Sequence, residues 1–396
     1  MANTILTPTA VTREALRVLH QKLNFVGSIN RQYDDSFAKS GAKIGDSLKI
    51  RLPNQYTVRT GAVIQTQDTA ETSVTLQVAT QKGVDVNFSS AELTLSLDDF
   101  SSRIIEPAMA VLAANIEYDA MAMYKDVYQA VWNSGSALTL AHVLDGRKIL
   151  QDSLTPLDNR SANLDGQQMV NLVTDSKSLF NDQREISKQY REGYVGRALG
   201  FDFSENSMWP GHTRGSANGS YVVNTSTGIT SGSATIAVTA GTGTWAVGDV
   251  FTIADVIKVH PETKASTGIP QQFVITAASA GGNGNITVSP APVTSGATQN
   301  VTLVSPGASK AITVAGTASG SDNTGLLYHK DAFTFATADL IMPKGVDMAA
   351  REVMDGISMR LVRQYDINND AMPCRLDVLY GYKTLRAQLA ARLHNN

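Results

Sequence analysis

Residues 107–132 read PAMAVLAANIEYDAMAMYKDVYQAVW, and the periodicity of this stretch sets the reading of everything around it. Apolar residues fall at 108, 112, 116, 120, 123, 127 and 131. Spacings of four and three place them on one face of a helix of about seven turns and fit no strand. Pro107 suits the first helical position, where its missing N–H costs nothing, and Glu106, Glu117 and Asp119 bring acid toward the early part of the helix. A core helix in any α/β protein has the same pattern, so this helix gains its meaning from its neighbours.

On the N-terminal side, residues 12–24 form an amphipathic helix with Leu16, Leu19 and Leu23 on one stripe, preceded by small polar residues able to cap it. Residues 25–46 have no period. The segment 1–46 therefore reads as an arm that must lie on something else, and a neighbouring subunit is the expected surface. In 47–90, Leu48, Ile50 and Leu52 alternate with Lys49 and Arg51, and the period of two returns in Val74, Leu76, Val78, Val84, Val86 and Phe88. The polar stretch 60–72 joins these runs into one long hairpin. Two strands alone are marginal in water, so the hairpin also calls for a partner surface, with Lys49, Arg51, Arg59, Asp68 and Glu71 as candidate contacts between subunits.

On the C-terminal side, the helix belongs to a segment 91–138, after which 141–153 reads as a helix, 169–173 as a short apolar strand and 176–190 as a further helix. Composition then changes. Between 218 and 325 the only charged residues are Asp249, Asp255, Lys258, Glu262, Lys264, Lys310 and Asp322. Alternating runs at 234–238, 250–253, 272–275, 285–288 and 301–304, bounded by Gly, Pro or Asn, predict a small β-barrel or sandwich. It is an insertion, because the mixed style resumes with a strand at 332–336, a short helix at 348–354 and strands at 357–365 and 375–382. The expected division is 139–217 and 326–350 for a central domain, 218–325 for the barrel and 351–396 for the return. The two ends of the insertion must lie close together.

The chain has 396 residues, 42% hydrophobic and 17% charged, with a net charge of -3. That balance gives no expectation of a strong phosphate-gripping surface. Cys374 is the only cysteine, so no internal disulfide forms. No signal peptide or long apolar span is evident, and a soluble protein made in the cytoplasm is expected. The six histidines show no metal-ligand spacing, no phosphate-binding loop is present, and the glycine clusters at 241–243 and 281–284 sit in turns between strands. Residues 366–370, DINND, imitate half a calcium loop, but Ala371 stands where Gly is required and Pro373 follows, so a hairpin turn is expected. Cys374 has no sequence-adjacent base. No catalytic constellation, metal site, cofactor or small-molecule substrate is expected, and the chain reads as a non-enzyme.

The order of arm, hairpin, long helix, α/β domain and late return to a sheet resembles the Hong Kong 97 fold of tailed-phage capsid proteins. More narrowly, the chain resembles the podovirus coat-protein family typified by phage P22, whose central domain carries an inserted barrel. The supporting stretches are GYVGR at 193–197 with GFD at 200–202, SMWPGHTRG at 207–215, VGDVFTIA at 247–254, QFVI at 272–275, YHKDAFTF at 328–335 and RLDVLYGY at 375–382. The resemblance implies an α+β major capsid subunit that self-assembles as hexamers and pentamers into an icosahedral shell, T=7 in this family. It also implies a scaffolding protein guiding assembly through a procapsid, with Arg13 and Glu14 as candidate contacts, and a portal protein at one vertex. The shell would enclose double-stranded DNA without reading its sequence and would be found in the virion. One feature departs from the family: residues 239–247 form a short uncharged turn in place of a long acidic loop, so the family's salt-bridge clasp is not expected here. The alternative is a tail, fibre or decoration protein with a carbohydrate- or receptor-binding β-domain. It is weakened by the scarcity of aromatic rings beside Trp245.

Overall fold

A computed structural model describes residues 8–34, 47–68, 71–88, 104–133, 135–175, 196–224, 226, 228–304, 309–367 and 372–395. The helix expected at 176–190, the motif at 193–195 and the turn at 368–371 lie outside the described residues. The chain forms two compact units. One comprises Met1–Arg51, Ser73–Met121 and Phe333–Leu385, the other Leu52–Thr72, Ala122–Ala332 and Arg386–Asn396.

The first unit opens with helix α1 (Pro8–Lys22), the short helix α2 (Phe25–Ser28) and strand β1 (Asn30–Asp34). The Leu16 and Leu19 stripe is buried together with Ala15 and Val18. Strands β2 (Ser47–Arg51) and β3 (Ser73–Gln77) pair antiparallel with Leu48 opposite Leu76 and Ile50 opposite Val74. The run 73–88 is not one hairpin arm, because it breaks after Gln77 and β4 (Thr80–Phe88) pairs elsewhere. Helix α3 (Glu106–Met121) buries Met109, Leu112, Ala113, Ile116 and Ala120. It is shorter than the period predicts: a 3₁₀ turn, Ala122–Asp126, follows, and then β5 (Ala130–Asn133). The residues after the turn, Val-Tyr-Gln-Ala-Val-Trp, are rich in β-formers, and at this end of the series Val127 and Val131, four apart, share a face in a strand as well as in a helix, so pairing with another strand decides.

The second unit continues with α4 (Leu140–Asp152), β6 (Arg160–Leu164), α5 (Gly166–Asp175), β7 (Arg197–Ala198), β8 (Phe201–Glu205) and β9 (His212–Thr213). The expected strand at 169–173 is helical. Asp165 caps this helix by accepting from the Gln167 N–H at 3.1 Å, and Gln168, Met169 and Leu172 form its buried face. The low-charge segment then contributes β10 (Val222–Val223), β11 (Thr235–Thr239), β12 (Val250–Val259), β13 (Ser266–Ala277), β14 (Gly284–Ser289), β15 (Val301–Leu303) and β16 (Ile312–Val314). All five alternating runs are strands. Their order is β10-β11-β14-β13-β12-β15, with β16 also on β12. A bridge from Val222 to Ala311 closes the ring. Trp245, Phe251, Phe273, Ile236, Ile286 and Tyr221 fill its interior.

Strand β17 (Ser321–His329) leaves this ring and joins the other sheet of the unit. The chain then returns to the first unit through β18 (Phe333–Ala338), β19 (Met348–Met354), β20 (Ile357–Arg363) and β21 (Met372–Thr384), and ends in β22 (Ala390–Asn395) in the second. The helix expected at 348–354 is strand β19. It makes a tight hairpin with β20 through Asp355-Gly356, both at positive φ, which is the two-residue turn that Asp-Gly favours. The first unit's sheet runs β1-β18-β21-β20-β19, with β4 also on β21, and the second unit's runs β5-β22-β17-β6-β8-β7, with β9 on β17. The arm also differs from expectation across 8–34. It completes itself on its own chain: β1 pairs parallel with β18, and α1 lies on β19, β20 and α3.

Candidate assembly surfaces

The arm is fastened from below by a buried carboxylate. Glu117 on α3 accepts the N–H groups of Phe25 at 2.9 Å and Val26 at 3.0 Å, which are open donors at the start of α2. Its outer side carries the residues singled out for scaffold contact. Arg13 is exposed and lies 3.7 Å from Glu352 on β19, while Glu14 accepts from Nε and Nη2 of Arg17 at 2.9 and 2.6 Å. At the end of α1, Asp355 accepts from His20 and Arg31 at 2.8 and 3.1 Å. These contacts, led by the His20 hydrogen bond, hold its carboxyl below the usual range.

The base of the hairpin is satisfied within the chain. Leu76 and Val78 are buried with Ala336, Ala338 and Leu379, and Leu48 and Ile50 pack against them. Strand β4 is pinned beside it. Lys82 and the Tyr380 hydroxyl both meet Asp119 Oδ2 at 2.6 Å, burial and that carboxylate raise the Tyr380 phenol, and Asp377 takes a two-pronged contact from Arg360 at 3.1 and 2.7 Å. Lys49 and Arg51 occupy the exposed face of β2 opposite Thr75 and Ser73, and Asp68 and Glu71 are also exposed.

The sequence reading missed the loop between the two strands. Tyr56, Val58, Val63 and Ile64 are 56, 94, 77 and 79% exposed. The loop is shaped all the same. Thr57 and Gln67 clasp each other, the Thr57 N–H donating to Gln67 Oε1 at 2.8 Å and Gln67 Nε2 donating to the Thr57 carbonyl at 2.6 Å, and Arg59 donates to the carbonyls of Gly61 and Val63. The signal in the sequence was four large apolar side chains in a stretch with neither helical nor strand period, a pattern that marks an interaction site when it stays uncovered.

Burial pushes the Cys374 thiol up to about 11, so it is a packed thiol and not a nucleophile. His142 serves a structural purpose at the start of α4, accepting the Thr139 N–H at 3.1 Å. Among the described residues no helix is long and apolar enough to cross a membrane.

The mixed α+β fold and the exposed apolar tip of the hairpin suit a structural protein. The family model described as P22 coat protein (gene protein 5) matches residues 28–391. The chain belongs to the P22 coat protein family, and is a major capsid structural protein. Solved structures with a similar course include Mycobacterium phage Che8, at 12% identity over 94% of this chain and 90% of that one with a TM-score of 0.46. Another is the capsid structure of the cyanophage P-SCSP1u, at 10% identity over 93% and 86% with a TM-score of 0.44. A third is the head structure of Helicobacter pylori bacteriophage KHP40, at 10% over 92% and 86% with a TM-score of 0.41. No curated protein matches the chain.

Proposed function

We propose that this coat protein builds an icosahedral shell of hexamers and pentamers in which the hairpin loop of each subunit seats its apolar tip on the next. The observation that carries this is the loop at 56–64, where four large apolar side chains stay exposed on a backbone held in shape by the Thr57–Gln67 clasp. Ordered before binding, such a loop loses little conformational entropy when it docks. Lys49, Arg51, Arg59, Asp68 and Glu71 flank the tip and give the contact its register through weak, screened pairings. Many copies of one modest contact in closed symmetry make a stable container.

The rest of the reading follows from the family. A scaffolding protein guides a procapsid in the host cytoplasm, contacting the exposed side of α1 near Arg13 and Glu14; a portal protein takes one vertex, and T=7 is the expected lattice. The shell of the virion encloses double-stranded DNA without reading its sequence, in keeping with a net charge of -3. Segment 218–325 acts as an inserted barrel, and the subunit has no catalytic role. A tail or decoration role has no support from the family match. The test is the double substitution Val58→Asp and Ile64→Asp. The variant subunit is expected to keep its thermal midpoint and to form no shells by electron microscopy when scaffold is supplied; shells formed at the wild-type yield would refute the role given to the tip.

A further inference from the structure

Within the second unit the chain crosses between sheet and barrel twice, and the two crossings pair, Thr213 opposite Ser321 and His212 opposite Asp322. A buried polar group closes around that pair. Trp132 on β5 donates from Nε1 to Asp322 Oδ2 at 3.0 Å, and its ring stacks on His394 of β22 with centroids 3.9 Å apart and planes at 19°. His394 is 1% exposed, and among the described residues neither of its ring nitrogens has a hydrogen-bond partner. On the same strand the wholly buried Arg392 donates from Nη1 to the Gly248 carbonyl at 2.9 Å, just before β12 begins. The His212 ring stands 5.3 Å from that of His394, with Nδ1 3.1 Å from the Tyr124 hydroxyl and Nε2 3.4 Å from Asp249 Oδ1. Strand β22 thus touches the way into the barrel, the way out of it and the turn before its longest paired strands.

The two imidazoles sit in different fields. His212 faces a carboxylate: Asp249 can receive its proton's charge, although Lys125 from the 3₁₀ turn and Arg392 oppose it. The charged and titratable groups facing His394 are Arg392 on its own strand and His212 on β9, both unfavourable to a second cation, and β5 offers it only the Trp132 ring. The nearby acids are engaged elsewhere. Asp322 holds Trp132, Asp249 also accepts the N–H groups of Gly215 and Ala246, and Asp126 and Asp249 both favour the charge on Arg392. Arg214 is turned to the carbonyls of Gly316 and Ala217.

We propose that His394 is a proton-sensitive latch: as a neutral ring stacked on Trp132 it holds β22 against both crossings of the barrel, and its protonation releases the barrel from the sheet. Burial, then Arg392 and His212, press its pKa well below the ordinary value, and burial lowers that of His212 less completely because Asp249 pulls it back. A histidine depressed in the folded state binds its proton on opening. The stability it contributes is therefore fully present above about pH 6.5 and is lost as pH falls below that value toward the folded pKa. The latch is a property of one subunit and holds whether or not the loop tip makes the shell contact.

The test uses the full-length unassembled subunit, titrated from about pH 7.5 to about pH 5, with histidine ring resonances, tryptophan emission and thermal midpoint recorded together. His394 is expected to stay neutral well below the ordinary imidazole range. The midpoint should fall reversibly on acidification, the red shift of emission that marks opening coming at a lower temperature, and His394→Gln should remove at least half of the fall while His212→Gln removes less. If His394→Gln does not fold, His394→Phe keeps the stack without a titrating nitrogen and serves in its place. A His394 resonance that titrates at or above about 6.5, or variants whose midpoints fall in parallel with the parent, overturns the latch.

Discussion

Glu117 shows how one side chain fixes an appendage. A buried carboxylate that accepts two main-chain donors is worth roughly twice a neutral hydrogen-bond acceptor, and removing it strands the donors of Phe25 and Val26. Glu117→Ala is expected to cost about 2–4 kcal/mol in urea unfolding and to open residues 8–34 to proteolysis first. An unchanged denaturation midpoint with the arm still protected would show that the two bonds contribute nothing. In the sequence Glu117 was legible only as one of several acids near the start of a helix. Its partners are about ninety residues away, and no local pattern encodes them. The same holds for His394, which looked like a scattered histidine because Trp132 and His212 meet it only through sheet pairing.

Elements were read most reliably where local chemistry and tertiary pairing agree. The strands of the low-charge segment had both, being alternating runs bounded by turn residues. The strand β19 did not: Met-Ala-Ala-Arg-Glu-Val-Met favours a helix by propensity, and only the Asp355-Gly356 turn that follows gave the hairpin away. Helix α5 was misread for the opposite reason, because Met169 to Val173 taken alone is an apolar strand-like run and the capping Asp165 lies outside it. One glycine marks a close crossing of elements. A Cβ at Gly381 on β21 would run into the Gln77 carbonyl at the end of β3, so Gly381→Ala is expected to push the hairpin base off its sheet at a cost of about 1–3 kcal/mol. Amide exchange in 73–78 should quicken first; an alanine variant with wild-type exchange there would mean the two strands can part without penalty.

For the molecule as a whole, the way the chain divides between its units was not visible from the sequence. Strands β5 and β22 come from distant parts of the chain and pair in parallel, Leu393 opposite Val131, inside the sheet that also holds β17. Each unit is thus built from three separate chain segments, and pairings across such distances leave no trace in hydrophobic period. The ring of strands nevertheless has an interior of its own centred on Trp245, which is stacked edge-on against Phe251 at 5.5 Å. Trp245→Ala is expected to cost about 3–5 kcal/mol. Loss of exchange protection should begin in 235–289 while 333–384 stays protected; simultaneous loss in both would show that the two units unfold as one.

The bridge from Val222 to Ala311 has a consequence for crowding. Because most of these strands have a partner on both sides, with β15 held along one edge by β12, a neighbouring copy finds few strand borders to extend. Identical Thr- and Val-rich strands held side by side in one shell are the composition from which fibrils grow. Curling such strands onto one another keeps most of their main chain paired within the copy that carries it.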